Sequence, residues 1–260
     1  MGYRGAEETP QVAPLPARRN GNVTFGSFNN FAKLSPGTIA VWARMLREVP
    51  DARLILKCPQ FKDEDTRGRA IQAFAAAGIG SERLDLCPPF AAAADHLSHY
   101  GDIDIALDPL PYNGTATTCE ALWMGVPVIT LRGNRHAARV GASILTTLGL
   151  ERLVAANPAE YVAIAASLAS DLDALAALRA SLRPRMLSSP LCDGPGFARA
   201  TEDAFRLRKP PKHWRSGFWM TSRSTRPNAC CAICWSVRRA AAWPGTCSLA
   251  SDTHAAIVMR

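Results

Sequence analysis

Short apolar runs alternate along this chain with longer stretches whose apolar residues recur every three or four positions. The runs at residues 23–28 (VTFGSF), 53–58 (RLILKC), 83–87 (RLDLC), 103–107 (IDIAL) and 126–130 (VPVIT) read as strands, with a short edge strand at 152–155. Ser35-Pro36 is a cap and first-turn pair for a helix to about residue 49, and Ile39, Trp42, Ala43 and Leu46 share one face of it. Further helices are expected at 63–77, stopped by Gly78, at 91–100, and at 139–148, stopped by Gly149. Others follow at 158–170, 171–187 and 196–208. Strands that alternate with helices through short connections predict an α/β fold with a doubly wound, Rossmann-like parallel sheet.

The pattern fades at both ends. Residues 1–22 are rich in Pro, Arg, Gly and Glu without periodicity and read as a linker, so the expected domain is 23–208. Residues 216–260 hold Cys230, Cys231, Cys234 and Cys247, half of the chain's 8 cysteines, with no sustained helical or strand period. Cys230, Cys231 and Cys234 with His254 offer a zinc reading, but the ligand spacing is poor. The other reading is an irregular tail over 209–260, outside the fold, of the kind that a reading-frame slip near 212–216 would produce. No repeat is visible at a period of about 20–50 residues.

A chain of 260 residues, 48% hydrophobic, can bury a substantial core. No run approaches the ~18 apolar residues of a membrane span, and the N-terminus shows no apolar secretory segment. The expectation is a cytoplasmic protein that does not meet a membrane. The net charge of +8 is unevenly spread. Residues 216–260 carry five arginines and one acid, which leaves 25 basic against 21 acidic residues before them. A mild excess of that size suits a protein that holds a diphosphate and excludes a nucleic-acid footprint. Cys58, Cys87, Cys119 and Cys192 are scattered in apolar context and read as reduced core cysteines without metal spacing.

The chemistry gathers between residues 103 and 130. An apolar strand ends at Asp108-Pro109, and a Pro/Asn/Gly turn follows at 111–114. Thr115, Thr117 and Thr118 then open a short helix that ends at Gly125. Thr117 and Glu120 have capping-box spacing, which predicts free helix N-terminal amides over 115–118. Strand, Gly turn, helix start and returning strand form an anion-holding geometry, and an ordinary βαβ unit with a threonine cap has the same pattern.

Three stretches, NGTATTCEALWMGVPVIT at 113–130, SFNNFAKLSP at 27–36 and RHAARVGASIL at 135–145, together resemble the C-terminal catalytic half of bacterial O-linked N-acetylglucosamine transferases. These are the SPINDLY-like proteins that carry tetratricopeptide repeats, and the resemblance covers about residues 12–208. It implies the half of a two-Rossmann-domain (GT-B) glycosyltransferase that holds UDP-N-acetylglucosamine, used by the family for inverting transfer to protein Ser/Thr hydroxyls.

By the same resemblance, Lys33 is the catalytic residue that neutralises the departing diphosphate, and Asn30 a polar contact to the sugar-diphosphate. His96 packs against uracil. The backbone of Thr115, Ala116, Thr117 and Thr118 receives the diphosphate. Glu120 matches an acidic position that meets the ribose, although the same carboxylate could instead complete the capping box. His99 stands where animal members carry arginine and is kept in the substrate-binding set. Residues 91–94 are all alanine where those members place a lysine, and Ala116 replaces the more usual threonine. Arg135, His136 and Arg139 form a basic cluster with no assigned role.

The resemblance also implies metal-independent chemistry, so neither a metal nor a cofactor is expected. The expected partners are the nucleotide-sugar donor and, where an N-terminal half or repeat domain is supplied, a protein acceptor. Two other readings stay open: a module that binds UDP or UDP-sugar without turnover, and a fragment of a broken gene.

Overall fold

The computed structural model describes residues 2–5, 9–90 and 92–207. In chain order the elements are α1 (Ala17–Asn20), β1 (Thr24–Ser27), α2 (Pro36–Glu48), β2 (Arg53–Lys57), α3 (Glu64–Ala76), β3 (Leu84–Cys87), α4 (Ala93–Ser98) and β4 (Ile105–Leu107). They continue with α5 (Ala116–Trp123), β5 (Val128–Leu131), α6 (Val140–Thr147), β6 (Val154–Ala155), α7 (Pro158–Ser170), α8 (Leu172–Leu187) and α9 (Gly194–Leu207).

Local chemistry explains where the helices start. The side chains of Ser35, Asp63, Asn157 and Asp171 each accept a backbone N–H from the first turn of α2, α3, α7 and α8, and Pro36 and Pro158 fix the next φ. The helix expected at 91–100 is shorter: α4 gives way to a tighter 3₁₀ turn over His99–Asp102. The edge strand expected at 152–155 begins as another such turn, Glu151–Leu153, and only Val154–Ala155 pairs with β5.

The six strands are all parallel, in the order β3-β2-β1-β4-β5-β6. Both faces are covered, as a parallel sheet requires. Leu54, Leu56, Phe25, Ile105 and Leu107 point into one core with Trp42, Phe74 and Tyr161. Ile55, Ala106 and Val128 point the other way, onto Leu122, Ile144, Leu145 and Leu182. The period-two alternation thus divides one sheet between two helical layers. Trp42 donates to the Tyr161 hydroxyl at 3.3 Å, and that hydroxyl donates to the carbonyl of Asp108 at 3.3 Å.

The N-terminal stretch read as a linker is packed against the fold where it is described. Leu15 and Ala17 are buried, and the carboxylate of Asp104 accepts the N–H groups of Ala17 and Thr24 at 2.9 and 2.8 Å. From α8, Arg179 donates to the carbonyls of Ala13 and Ile103 at 2.7 Å each, and Arg183 to that of Pro10 at 2.9 Å. Gly125, at φ +79°, ends α5 beneath this strap; a Cβ there would lie 2.5 Å from Val12 and 3.0 Å from the Arg179 carbonyl. Buried Arg179 and half-buried Arg183 therefore satisfy backbone carbonyls that no sheet or helix could reach.

Among the described residues no single helix is long and apolar enough to cross a membrane. Cys58 and Cys119 are buried free thiols; Cys87 and Cys192 are free and half-buried. The irregular tail expected at 209–260, with the zinc reading of Cys230, Cys231, Cys234 and His254, lies outside the described residues.

Candidate functional site

The strand order reverses between β1 and β4. Chains leaving the carboxyl ends of those two strands run to opposite faces of the sheet, which opens a crevice where α/β proteins hold ligands. Phe28 and Asn29 follow β1 there, and Asp108 follows β4. Lys33 arrives on a 3₁₀ turn, Phe31–Lys33, and α5 begins opposite.

At the α5 end the groups are knitted into one network. Lys33 Nζ donates to the Asn113 carbonyl at 2.9 Å and lies 3.5 Å from Asn29 Oδ1. The Thr117 hydroxyl donates to the same Asn29 oxygen at 3.1 Å. Asp108, 1% exposed, accepts the Gly114 N–H and the Thr130 hydroxyl at 2.6 Å each, which fixes the height of the turn before α5. Burial pushes the Asp108 carboxyl up to about 7 against the pull of those bonds and of Lys33. Burial also draws the Lys33 ammonium below the usual lysine range, with the Asp108 charge opposing it. Gly114 leaves no room for a side chain: a Cβ would sit 2.5 Å from the Thr117 hydroxyl and 3.0 Å from Asn29 Oδ1. The first amides of α5 have no partner inside the helix, and its positive end faces the crevice.

The opposite end is aromatic. His96 Nε2 donates to Glu120 Oε2 at 3.1 Å, and the Tyr100 hydroxyl donates to the same oxygen at 3.2 Å. Burial raises the Glu120 pKa, but the His96 hydrogen bond and charge outweigh it and hold the group below the usual carboxylate range. The His99 ring stacks on Phe28 at 5.1 Å, and Phe90 meets it edge-on at 4.9 Å. Lys57, the last residue of β2, stands 3.8 Å over the Phe28 ring.

The structure thus brings Lys33, Thr117, Glu120, His96 and His99 to one crevice, with Thr115 and Ala116 exposed at the helix start and Thr118 buried behind them. Two expectations change. Thr117 is no cap: α5 starts at Ala116, so Thr117 is its second residue, and Glu120 turns away from the helix start to His96 and Tyr100. The capping box does not form. Asn30 is exposed and spends its side-chain oxygen on the Ala32 N–H at 2.9 Å, while its neighbour Asn29 points into the network.

Asn29, Lys57, Tyr100 and Asp108 were not singled out as site residues from the sequence. Asn29, Lys57 and Asp108 stand at or within two residues of strand ends, so counting strand termini in a parallel sheet would have found them. A larger cavity of about 830 Å³ opens beside Thr115, between α6 and α9, and His136 and Arg139 of the basic cluster line it. The crevice at Asn29 and Asp108 leaves only about 10 Å³, because hydrogen bonds already span it. The crevice is the better candidate for the chemistry, because the charges and free amides converge there. Among the described residues no group of three His, Cys, Asp or Glu side chains is placed to hold a metal.

Residues 6–200 match the description of glycosyl transferase family 41. The chain belongs to that family. Over 204 residues, 78% of this chain, it is 48% identical to an Arabidopsis thaliana protein named as probable UDP-N-acetylglucosamine–peptide N-acetylglucosaminyltransferase SPINDLY, of which it spans 22%. It is 32% identical to the Caenorhabditis elegans UDP-N-acetylglucosamine–peptide N-acetylglucosaminyltransferase over 203 residues, 76% of this chain and 17% of that protein. Among solved structures, a mutant of Thermobaculum terrenum O-GlcNAc transferase superposes with a TM-score of 0.72 at 39% identity, covering 78% of this chain and 38% of that one. Anabaena HepE, solved with UDP and glucose, shares the fold at a TM-score of 0.51 and 16% identity, over 74% of this chain and 51% of that one. The family 41 sheet described above is the expected C-terminal half of the GT-B architecture. The chain spans about a fifth of the curated relatives it matches.

Proposed function

We propose that this chain is the donor-binding half of an inverting protein O-GlcNAc transferase, holding UDP-N-acetylglucosamine for transfer to Ser/Thr hydroxyls. The observation that carries this reading is the convergence of Lys33, Asn29 and the first turn of α5 at the β1–β4 switch point. In this reading the amides of Thr115, Ala116, Thr117 and Thr118 take the diphosphate. Glu120 faces the ribose, His96 and His99 the base, and Asn30 the sugar side.

As the acceptor oxygen bonds to the anomeric carbon, the bond to the diphosphate breaks and its electron pair leaves with the phosphate oxygen. Charge therefore grows beside Lys33 and the helix end, where fixed donors stabilise the transition state more than the bound donor. No metal is needed for that step in this reading. The acceptor groove and the route for the hydroxyl proton fall to the part of the relatives that lies outside the match.

The test is calorimetry of the chain with UDP in EDTA, followed by transfer of labelled N-acetylglucosamine with and without a family N-terminal half. Binding in EDTA, with transfer only when that half is added, is the expected result. Binding that never leads to transfer would favour a module without turnover, and the absence of binding would defeat the reading.

A further inference from the structure

Lys57 has fewer partners than its burial demands. It closes β2 and is 3% exposed. Among the described residues its Nζ donates to one acceptor, the carbonyl of His96 at 3.2 Å, and no carboxylate lies within ion-pair distance. The rest of its surroundings is aromatic, with ring centres of Phe28 at 3.8 Å, Phe90 at 5.1 Å and Tyr100 at 5.9 Å. Next to it, Nδ1 of His99 is buried without a hydrogen-bond partner among the described residues.

A buried ammonium with spare protons is costly, and so is a buried ring nitrogen with no partner. Burial already draws the Lys57 ammonium down to about 8, against the opposing charges of Cys87 and Glu120. Such a pair of incomplete groups marks a place where a ligand supplies the missing bonds. Phe90, which borders Lys57 and meets the His99 ring edge-on, is 47% exposed, so this group of side chains reaches the surface.

The chemistry of the slot selects its occupant. Aromatic walls favour a flat ring, and a lysine can only donate, so the ring edge must offer an acceptor. A phosphate is the poorer fit, because the helix amides that would share its charge are at the Lys33 end. We propose that Lys57 is a specificity-determining residue that donates to a ring carbonyl of the nucleobase, so the site favours an oxo-base such as uracil over adenine, which sets an amino donor beside its acceptor nitrogens. This rests on the donor-site reading above and adds a residue and a selection rule to it.

The experiment is calorimetry of the full chain with UDP and ADP, using the wild type, Lys57→Met and Lys57→Arg. Wild type should prefer UDP by about tenfold or more, the scale of a hydrogen bond to a charged group. Lys57→Met should lose roughly that factor for UDP and leave ADP nearly unchanged. Lys57→Arg, which keeps a donor, should retain the preference. Wild type that binds ADP as tightly as UDP would overturn the proposal, as would equal losses for both in Lys57→Met. Should Lys57→Met fail to fold, the wild-type ratio and the arginine variant decide. Wild type that binds neither nucleotide would overturn the donor-site reading itself, which is a different result from binding without preference.

Discussion

The two ends of the crevice would hold their parts of the proposed donor by opposite means. At the Lys33 end the donors are a helix start, a glycine turn and a lysine already hydrogen-bonded to the protein. At the Lys57 end they are side chains from β2 and the α4 region, closed in by aromatic rings that include Phe28 after β1. The first end leans on backbone donors, to which Lys33, Asn29 and Thr117 add side chains. The second is made of side chains and is where selectivity can be written. In the proposed donor site, that division would separate the end that meets the charge from the end that meets the base.

Removing the support under the backbone end should cost most. Asp108→Ala leaves the Gly114 N–H and the Thr130 hydroxyl without their buried acceptor, and should destabilise the chain by about 2 kcal/mol or more in denaturant unfolding. A change within a few tenths would mean that the turn is held by other contacts. Gly114→Ala forces a methyl against Thr117, Thr118 and Asn29 and should cost about 1–3 kcal/mol, with UDP binding weakened more than uridine binding.

At the aromatic end the sign reverses. Lys57→Met exchanges a buried charge for an apolar chain of similar size and should raise stability at pH 7 by about 1 kcal/mol. Below pH 8 the folded and unfolded lysine both carry the charge, so the burial penalty is fully present. Between about 8 and the ordinary lysine pKa only the unfolded chain keeps the proton, and wild-type stability rises with pH. The advantage of Lys57→Met should therefore shrink toward pH 10 in thermal melts read beside the same His96, His99, Cys87 and Glu120. A constant advantage would place the titration elsewhere.

The same division decided what could be read from the sequence. The backbone end is local: a turn and helix start within residues 108–125 carry it, and their glycine, proline and threonines have fixed conformational meanings. Lys33 was found because it lies in a short recognisable stretch after β1. The aromatic end is assembled from Phe28, Lys57, Phe90 and residues 96–100, which meet only once the sheet order places β2 beside β1. Nothing local to Lys57 distinguishes it from a lysine at the end of any strand. The capping box fails for a local reason: α5 starts at Ala116, which makes Glu120 its fifth residue, too far along to reach the cap, and it meets His96 across the crevice. The packed strap at residues 9–17 was missed because its partners, Arg179 and Arg183, lie more than 150 positions away.

The division itself can be measured by calorimetry of the wild type, Lys33→Ala and His96→Ala with UDP and with uridine. Lys33→Ala should weaken UDP by roughly tenfold or more while leaving uridine nearly unchanged, since only UDP carries the charge that Lys33 meets. His96→Ala should weaken both ligands by a similar factor, because they share the base. Equal losses for UDP and uridine in Lys33→Ala would contradict the account, showing that Lys33 supports the fold of the crevice and does not hold the diphosphate.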